Sequence, residues 1–145
     1  MYVDDIVMLA VLMAPLVGVK GHLKQEFKMK DPGEAKFILG MEIRRQENGD
    51  IFLVQEKYAR DILRKYNMYD CSPVGTPLEI GTDLGKNGCP TTVEERIEMA
   101  EKAYLHWVAM GSLIYIAQGT RPDMSEAVST LSSFNQDPGR VHWEL

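Results

Sequence analysis

The sequence is poor in the residues that build metal or disulfide frameworks. Its 145 residues include two cysteines, Cys71 and Cys89, and three histidines that stand far apart in the chain. Neither residue type recurs at the spacing of a zinc site, which excludes a zinc-stabilised fold of the finger type. Two cysteines in a chain without a secretory signal are typical of reduced thiols, and a single disulfide between them is the alternative.

Long hydrophobic runs are also missing. The most apolar stretch, IVMLAVLMAPLVGV at residues 6–19, is too short to span a bilayer and is interrupted by Pro15. The residues before it are acidic, whereas a secretory signal starts with basic residues. We therefore predict a protein of the cytoplasm or nucleus that is neither secreted nor associated with a membrane. The same stretch is predicted to form a buried strand that runs into a turn.

The chain lacks the excess positive charge of a domain that holds nucleic acid by charge alone, since 16 basic residues stand against 21 acidic ones. Residues 20–66 are nevertheless net basic, with 11 Lys and Arg against 8 Asp and Glu. Two groups of three basic residues, each spaced to share one helix face, are candidates for contacts with a nucleic-acid backbone. They are Lys20, Lys24 and Lys28, and Lys57, Arg60 and Arg64. For both groups the alternative is a solvated helix face.

Hydrophobic spacing predicts an α+β first half, residues 1–69. Residues 1–13 read as strand, turn and strand, and a helix with one apolar stripe follows Pro15. The runs at 36–45 and 51–55 flank Asn48-Gly49, a strong signal for a hairpin between two strands. The next segment, QEKYARDILRKYNM, has the spacing of another amphipathic helix.

The second half is predicted to be helical. Residues 70–90 contain three prolines and four glycines and read as a linker, and residues 91–145 follow it. Thr91 with Glu94 and Thr92 with Glu95 both fit the capping box of a helix start. The stretch at 104–117 is apolar nearly all round, which predicts a buried helix with its aromatic residues in the core. Asp123 is predicted to cap a later helix, with Arg121 paired nearby; the aromatic residues are Tyr104, Trp107 and Tyr115.

Asp4 and Asp5 stand side by side among apolar residues in MYVDDIVMLA. Neighbouring carboxylates repel each other, and removing either from water is costly unless a cation compensates. Hard oxygen ligands in this arrangement suit Mg²⁺, which neutralises the repulsion. A polar hairpin turn at the surface explains the same two residues without a metal.

Five blocks of the sequence, in order, resemble the reverse transcriptase of copia-type long-terminal-repeat retrotransposons. They are MYVDDIVMLA, EFKMKDPGEAKFILGMEI, IFLVQEKYARDILRKYNM, CSPVGTPL and GSLIYIAQGTRPDM. The resemblance runs from the first residue to the final VHWEL. It departs from the family pattern at Pro32, usually leucine there, and at Tyr104 to Gly111, where the family has two residues fewer. Two extra residues rotate a helix by about 200°, so this helix must be repacked or broken.

The resemblance implies the later part of a right-hand polymerase. Residues 1–69 would be the C-terminal part of the palm, 70–90 the linker, and 91–145 the thumb and connection helices. Asp4 and Asp5 match the catalytic aspartates of the Tyr-x-Asp-Asp motif, which bind two Mg²⁺ ions in the family. Tyr2 and Val3 would lie beneath the primer terminus and the incoming nucleotide. The hairpin around Leu39, Gly40, Met41 and Glu42 looks like the primer grip, although Gly40 also fits a strand bulge.

The implied partners are an RNA/DNA primer-template and deoxynucleoside triphosphates. The family also uses a third carboxylate and a fingers region upstream of the motif, where this sequence begins. We therefore expect weak or absent Mg²⁺ binding and no polymerisation by this chain alone. The alternative is a small α+β binding module, derived from retroelement sequence and without enzymatic activity. The third alternative is a chain that does not fold stably because the palm sheet lacks its partner strands, and exposed edges at 36–45 and 51–55 would then favour aggregation or self-association.

Overall fold

The computed structural model describes residues 6–78, 81 and 84–144. The protein is α+β, as predicted, and its chain divides after Val54 into two compact units. The predicted division into palm part (1–69), linker (70–90) and thumb and connection (91–145) concerns the parent polymerase and stays a prediction.

The first unit contains one helix and a small sheet. Helix α1 spans Met13–Glu26, and the strands are β1 (Phe37–Ile38), β2 (Met41–Arg45) and β3 (Ile51–Val54). The sheet is antiparallel throughout, in the order β1-β2-β3, so β1 and β3 are its edges. Phe37, Ile51 and Phe52 on these edge strands are exposed.

The predicted strand, turn and strand at the start of the chain is wrong for its described part, residues 6–13. Residues 6–12 belong to no helix or strand, and α1 already begins at Met13. A strand is stable only when a neighbour pairs with its backbone N–H and C=O groups, and the sheet takes no strand from this segment. Pro15 falls in the first turn of α1, where its missing N–H costs nothing.

Helix α1 has an apolar stripe in sequence but buries no residue. Leu16 and Leu23 are half-buried, whereas Val19 and Phe27 are exposed. Lys28 lies beyond the end of the helix and does not share a helix face with Lys20 and Lys24 as predicted.

The second unit is helical. It contains α2 (Glu56–Lys65), α3 (Val93–Gly119), α4 (Ser125–Ser132) and α5 (Arg140–Trp143), with 3₁₀ turns at Lys86–Gly88 and Pro122–Met124. Its core cluster joins Met110 of α3, Leu131 of α4 and Leu84, against which four partly buried residues pack. These four are Leu78, Ala109, Leu113 and Phe134. Part of the Pro/Gly-rich segment 70–90 therefore packs on the helical core.

Helix α3 starts at the second of the two predicted capping boxes. The Thr92 hydroxyl accepts the Glu95 N–H at 3.2 Å, and the Glu95 carboxylate accepts the Thr92 N–H at 3.1 Å. The Thr91 N–H and then the Thr92 N–H, both of which donate to the Glu95 carboxylate, hold its pKa below its usual value. The helix continues without a break through Tyr104 to Gly111, where the resemblance implies two extra residues, so this stretch does not interrupt it.

The prediction that 104–117 is buried throughout is half wrong. His106, Met110, Ile116 and Ala117 lie in the interior, and Tyr115 packs edge-on against Tyr58 with ring centroids 4.7 Å apart. Tyr104 and Trp107 instead lie exposed. Apolar residues occupy both sides of this helix, and the second unit covers only one of them.

Two glycines let the loop before α3 approach α5. A Cβ added at Gly139 would overlap the carbonyl oxygen of Gly88, and a Cβ at Gly88 would overlap Val141. None of the helices in the described parts of the chain is long and apolar enough to cross a membrane.

Candidate functional site

The paired aspartates lie outside the described residues. Asp4 and Asp5, with Tyr2 and Val3, fall in the segment 1–5, so their predicted roles stay predictions. Within residues 6–78, 81 and 84–144, no three His, Cys, Asp or Glu side chains come together as a metal site would require.

The predicted primer-grip residues form a tight two-residue turn. The segment 36–45 is not one strand, because β1 and β2 pair antiparallel with Ile38 opposite Met41. Leu39 (φ 49°) and Gly40 (φ 80°) connect them, both in the left-handed region that a type I′ turn requires. Gly40 is thus a turn residue rather than a strand bulge.

The turn separates its two larger side chains. Leu39 is exposed, whereas Met41 is buried. A leucine at positive φ is strained, because its Cβ lies close to the following carbonyl oxygen. The structure therefore holds an apolar side chain in water on a strained backbone, at a position that glycine or asparagine would occupy more comfortably.

An ion pair that the sequence did not reveal lies beside this turn. Glu42 accepts two hydrogen bonds from the Arg44 guanidinium, at 3.0 and 2.9 Å. Residues two apart on a strand share a face, so an i, i+2 pair of opposite charge was the available signal. The Arg44 guanidinium holds the pKa of Glu42 below its usual value.

The first basic group is brought together only in part. Asp31 accepts hydrogen bonds from Lys20 Nζ at 3.1 Å and from Lys24 Nζ at 3.4 Å. Lys20 and the Gly33 N–H are the main causes that lower the pKa of Asp31 to about 2. A full negative charge therefore sits between the two lysines at any physiological pH, and Lys28 is exposed beyond the helix end.

The second basic group lies along α2 and is mostly paired within its own helix. Arg60 forms an ion pair with Glu56, and Arg64 pairs with Asp61 at 3.1 Å and lies over the Tyr69 ring at 4.7 Å. Surface pairs of this kind are weak and exchange readily for other anions. All three basic side chains of the group remain exposed.

Arg121 and Asp123 form the predicted pair, with contacts of 2.7 to 3.2 Å. The pair raises the pKa of Arg121 and lowers that of Asp123. The predicted capping role of Asp123 is wrong, since it lies inside the 3₁₀ turn and neither that turn nor α4 has a side-chain cap. The carboxylate is already bound by the guanidinium, which explains why it does not cap.

Sequence reasoning overlooked Gln55, a buried polar residue at the start of α2. Its Nε2 donates to the Tyr115 carbonyl at 3.1 Å, and its Oε1 accepts the Thr120 hydroxyl at 2.8 Å. A Cβ at Gly119 would overlap the Gln55 side chain, so glycine provides the space for it. The one signal was a polar residue that directly follows the apolar run at 51–54.

Two buried histidines were also left unassigned. His106 and His142 are 1% and 2% exposed, and the His142 ring stacks on Phe134 with centroids 4.0 Å apart. The Gly139 N–H donates to His142 Nδ1 at 2.9 Å, which requires that nitrogen to be unprotonated. Burial lowers the pKa of both residues. Cys71 and Cys89 are free thiols.

Comparison with known proteins places the chain in a family. The profile of the family described as reverse transcriptase (RNA-dependent DNA polymerase) matches residues 1–80. The retrovirus-related Pol polyprotein from transposon TNT 1-94 of Nicotiana tabacum is 43% identical over 145 residues, which cover 99% of this chain and 11% of the polyprotein. Residues 81–145, outside the profile match, are therefore also shared with a polyprotein of this kind.

Further relatives show the same extent of similarity. The Pol polyprotein from transposon RE2 of Arabidopsis thaliana is 32% identical over 98% of this chain and 9% of the polyprotein. An uncharacterized mitochondrial protein of the same plant is 31% identical over 100% of this chain and 56% of that protein. No solved structure matches the chain. The chain belongs to the reverse transcriptase family and corresponds to a fragment of the Pol polyprotein of a copia-type retrotransposon.

Proposed function

We propose that this chain supplies the later part of the palm, the primer grip and the thumb and connection helices of an RNA-directed DNA polymerase. In the parent polyprotein its partners would be an RNA/DNA primer-template and deoxynucleoside triphosphates. The observation that best supports the proposal is the turn at Leu39–Gly40, within the segment that matches the family. Strained backbone of this kind is common where a side chain must be held in place for a ligand.

Within this proposal Asp4 and Asp5 hold Mg²⁺. Two adjacent carboxylates are a donor set of hard oxygens, the type that Mg²⁺ prefers. When bound, the metal would supply activation of the primer 3′-hydroxyl and neutralisation of the triphosphate. Tyr2 and Val3, next to the pair in sequence, would support the primer terminus.

Basic residues would then hold the backbone of the primer-template. Lys20 and Lys24 share one carboxylate between two ammonium groups, which leaves a net positive site. Lys28 and the α2 residues Lys57, Arg60 and Arg64 are exposed and available to phosphates. Their contribution would be electrostatic, independent of base sequence and strongly weakened by salt.

Polymerisation is assigned to the parent enzyme and not to the 145 residues alone. The family uses three carboxylates, and the motif in this chain accounts for two. We also propose that the parent enzyme works inside the cell, for which the two free thiols are the support in this chain. Pairing of the exposed edges β1 and β3 between copies is a further proposed contact.

Binding to an RNA–DNA hybrid with a recessed 3′ end tests the primer-grip proposal. We would titrate a fluorescent hybrid with the chain and follow anisotropy at low salt, beside the Leu39→Asp variant. Val74→Asp is the matched control, since Val74 is also exposed and lies in a loop of the other unit. The proposal requires weaker binding for Leu39→Asp alone; equal binding by all three proteins overturns it.

Primer extension on an RNA template tests the assignment of activity. The chain with Mg²⁺ and deoxynucleotides should give no extension. Addition of the preceding polymerase segment of the TNT 1-94 polyprotein in trans should restore extension with the native chain and not with Asp4→Asn. Extension by the chain alone would refute the assignment of polymerisation to the parent enzyme, and equal extension with Asp4→Asn would refute the assigned role of the aspartates.

A further inference from the structure

Helix α3 carries a second apolar face, turned about 120° around the helix axis from its buried one. The buried face includes Met99, His106, Met110 and Ala117, spaced seven, four and seven residues apart. The other face includes Val93, Ile97, Tyr104 and Trp107, which are 68%, 71%, 67% and 62% exposed. We name these four residues, with the exposed Ala100 and Gly111 between and after them, the α3 stripe.

The stripe has the spacing of a coiled-coil seam. Its members follow one another at steps of four, three, four, three and four residues, which is the alternation of the a and d positions of a heptad. Ile97, Tyr104 and Gly111 fall at a, and Val93, Ala100 and Trp107 fall at d. A globular surface rarely leaves an exposed row of this length with two large aromatic side chains.

We propose that the α3 stripe binds the same stripe of a second copy of this chain, as a short parallel coiled coil. Tyr104 and Trp107 would each bury on the order of 150 Å². With the aliphatic members, the area removed from water reaches about 1,000 Å² for the two chains, the lower bound for a specific interface. A weak dimer that dissociates on dilution is therefore expected.

The charges beside the stripe favour the parallel orientation. Arg96 precedes Ile97 at a g position, and Glu101 follows Ala100 at an e position. In a parallel pair, each g residue lies next to the e residue five positions further along the other helix. Arg96 would thus meet Glu101 of the second copy, twice by symmetry, whereas an antiparallel pair would bring the two Glu101 carboxylates together.

Both charged groups are accessible for this contact. Arg96 bonds to the Pro90 carbonyl at 3.1 Å and to Asp137 at 3.3 Å, but 58% of its side chain remains exposed. Glu101 is exposed and forms no ion pair with any residue in the described parts of the chain.

Gly111 provides space for the largest side chain of the stripe. A Cβ built at Gly111 meets nothing within 4 Å, so the surface there is open. In a parallel coiled coil the d residue inserts into a hole that the a residue four positions later helps to form. The Trp107 indole would therefore enter the gap at Gly111 of the second copy.

Sedimentation velocity of the full chain over about 1–100 µM tests the dimer. The native chain should shift from monomer to dimer with rising concentration, and Trp107→Asp should stay monomeric. Val74→Asp, which changes an exposed apolar residue off the stripe, should behave as the native chain. Circular dichroism spectra and melts must show that each variant folds. A native chain that is monomeric throughout overturns the proposal.

A charge exchange tests the orientation without disturbing the apolar seam. Glu101→Arg should weaken the dimer about fivefold, since it loses two exposed pairs and creates two repulsive ones. The double variant Arg96→Glu, Glu101→Arg should restore the native dissociation constant. If the double variant is weaker than Glu101→Arg, the parallel pairing is wrong. If Phe37→Asp or Phe52→Asp abolishes the dimer and Trp107→Asp does not, the dimer forms through the edges of the sheet and the proposal is wrong.

Discussion

The Gln55 carboxamide accepts the Thr120 hydroxyl at 2.8 Å, although 65 residues separate the two in sequence. The same side chain, 5% exposed, donates to the Tyr115 carbonyl and fills the space beside Gly119. One buried amide thus joins the start of α2 to the last turn of α3. Both of these helices belong to the second unit, whose stability should depend on this contact.

We predict that Gln55→Ala lowers the free energy of unfolding by about 2 kcal/mol, because the Thr120 hydroxyl loses its partner and a small cavity opens. Urea unfolding followed by circular dichroism measures the loss. Gln118→Ala is the control, since Gln118 is exposed on the same helix and its truncation should change stability little. Equal stability of both variants would show that the Gln55 hydrogen bonds contribute nothing net.

Removal of the carboxylate between two lysines should strengthen nucleic-acid binding. Asp31 stays ionised down to a pH of about 2, so it neutralises part of the Lys20 and Lys24 charge under all binding conditions. We expect Asp31→Asn to lower the dissociation constant for an RNA–DNA hybrid several-fold at low salt and to steepen its salt dependence by about one unit of slope.

Anisotropy titrations at several salt concentrations check this effect of Asp31→Asn. Asp50→Asn is the control, because Asp50 is also an exposed residue, and its carboxylate bonds to Asn48 rather than to a lysine. If the two variants bind alike, the Lys20 and Lys24 ammonium groups do not contact the phosphates.

Relief of strain at Leu39 should separate stability from binding. Asparagine tolerates positive φ better than leucine, so Leu39→Asn should stabilise the β1–β2 hairpin by about 0.5–1 kcal/mol. The same change removes the exposed apolar side chain, and binding of the recessed primer end should weaken. Amide hydrogen exchange at Ile38 and Met41 reports the first effect, and anisotropy reports the second. A variant with better protection and unchanged binding would remove Leu39 from the primer grip.

Two buried histidines should make the second unit sensitive to acid. Burial is the main cause that lowers the pKa of His106 and of His142. For His106, the side chain of Asn135 partly offsets the effect of burial, and the charge of His142 lowers the pKa further. Both residues bind protons less readily in the folded than in the unfolded chain. The unfolded state therefore gains protons first as the pH falls.

We expect the free energy of unfolding to have its highest value above a pH of about 6.5 and to decrease as the pH drops below that value. The decrease should level off below the pKa values that the two histidines have in the folded chain. Urea unfolding between pH 7.5 and 5.0 measures the slope, and His106→Leu should reduce it. His22→Leu is the matched control, because His22 is exposed on α1. An unchanged slope in His106→Leu would exclude His106 as a source of the acid sensitivity.

Much of the local structure could be predicted because its causes lie within a few residues. Asn48-Gly49 makes the β2–β3 connection, where the Gln46 N–H donates to the Asp50 carbonyl at 2.9 Å. The Thr92–Glu95 capping box and the amphipathic spacing of α2 depend in the same way on neighbours three or four positions away. The family could likewise be recognised from the sequence, since the resemblance rests on short motifs in a fixed order.

Other features required the tertiary structure because burial and pairing depend on segments far along the chain. The apolar residues 6–12 form no strand, since the sheet pairs only β1, β2 and β3. The pattern of apolar residues in α3 also does not reveal which of its faces is buried. In the structure Met110 is buried in the second unit, whereas Trp107 is exposed to solvent. The sequence by itself determined the family, the Asn48-Gly49 turn and the Thr92–Glu95 cap through local chemistry. The tertiary structure decided which apolar and polar side chains became buried, because that requires distant segments to meet.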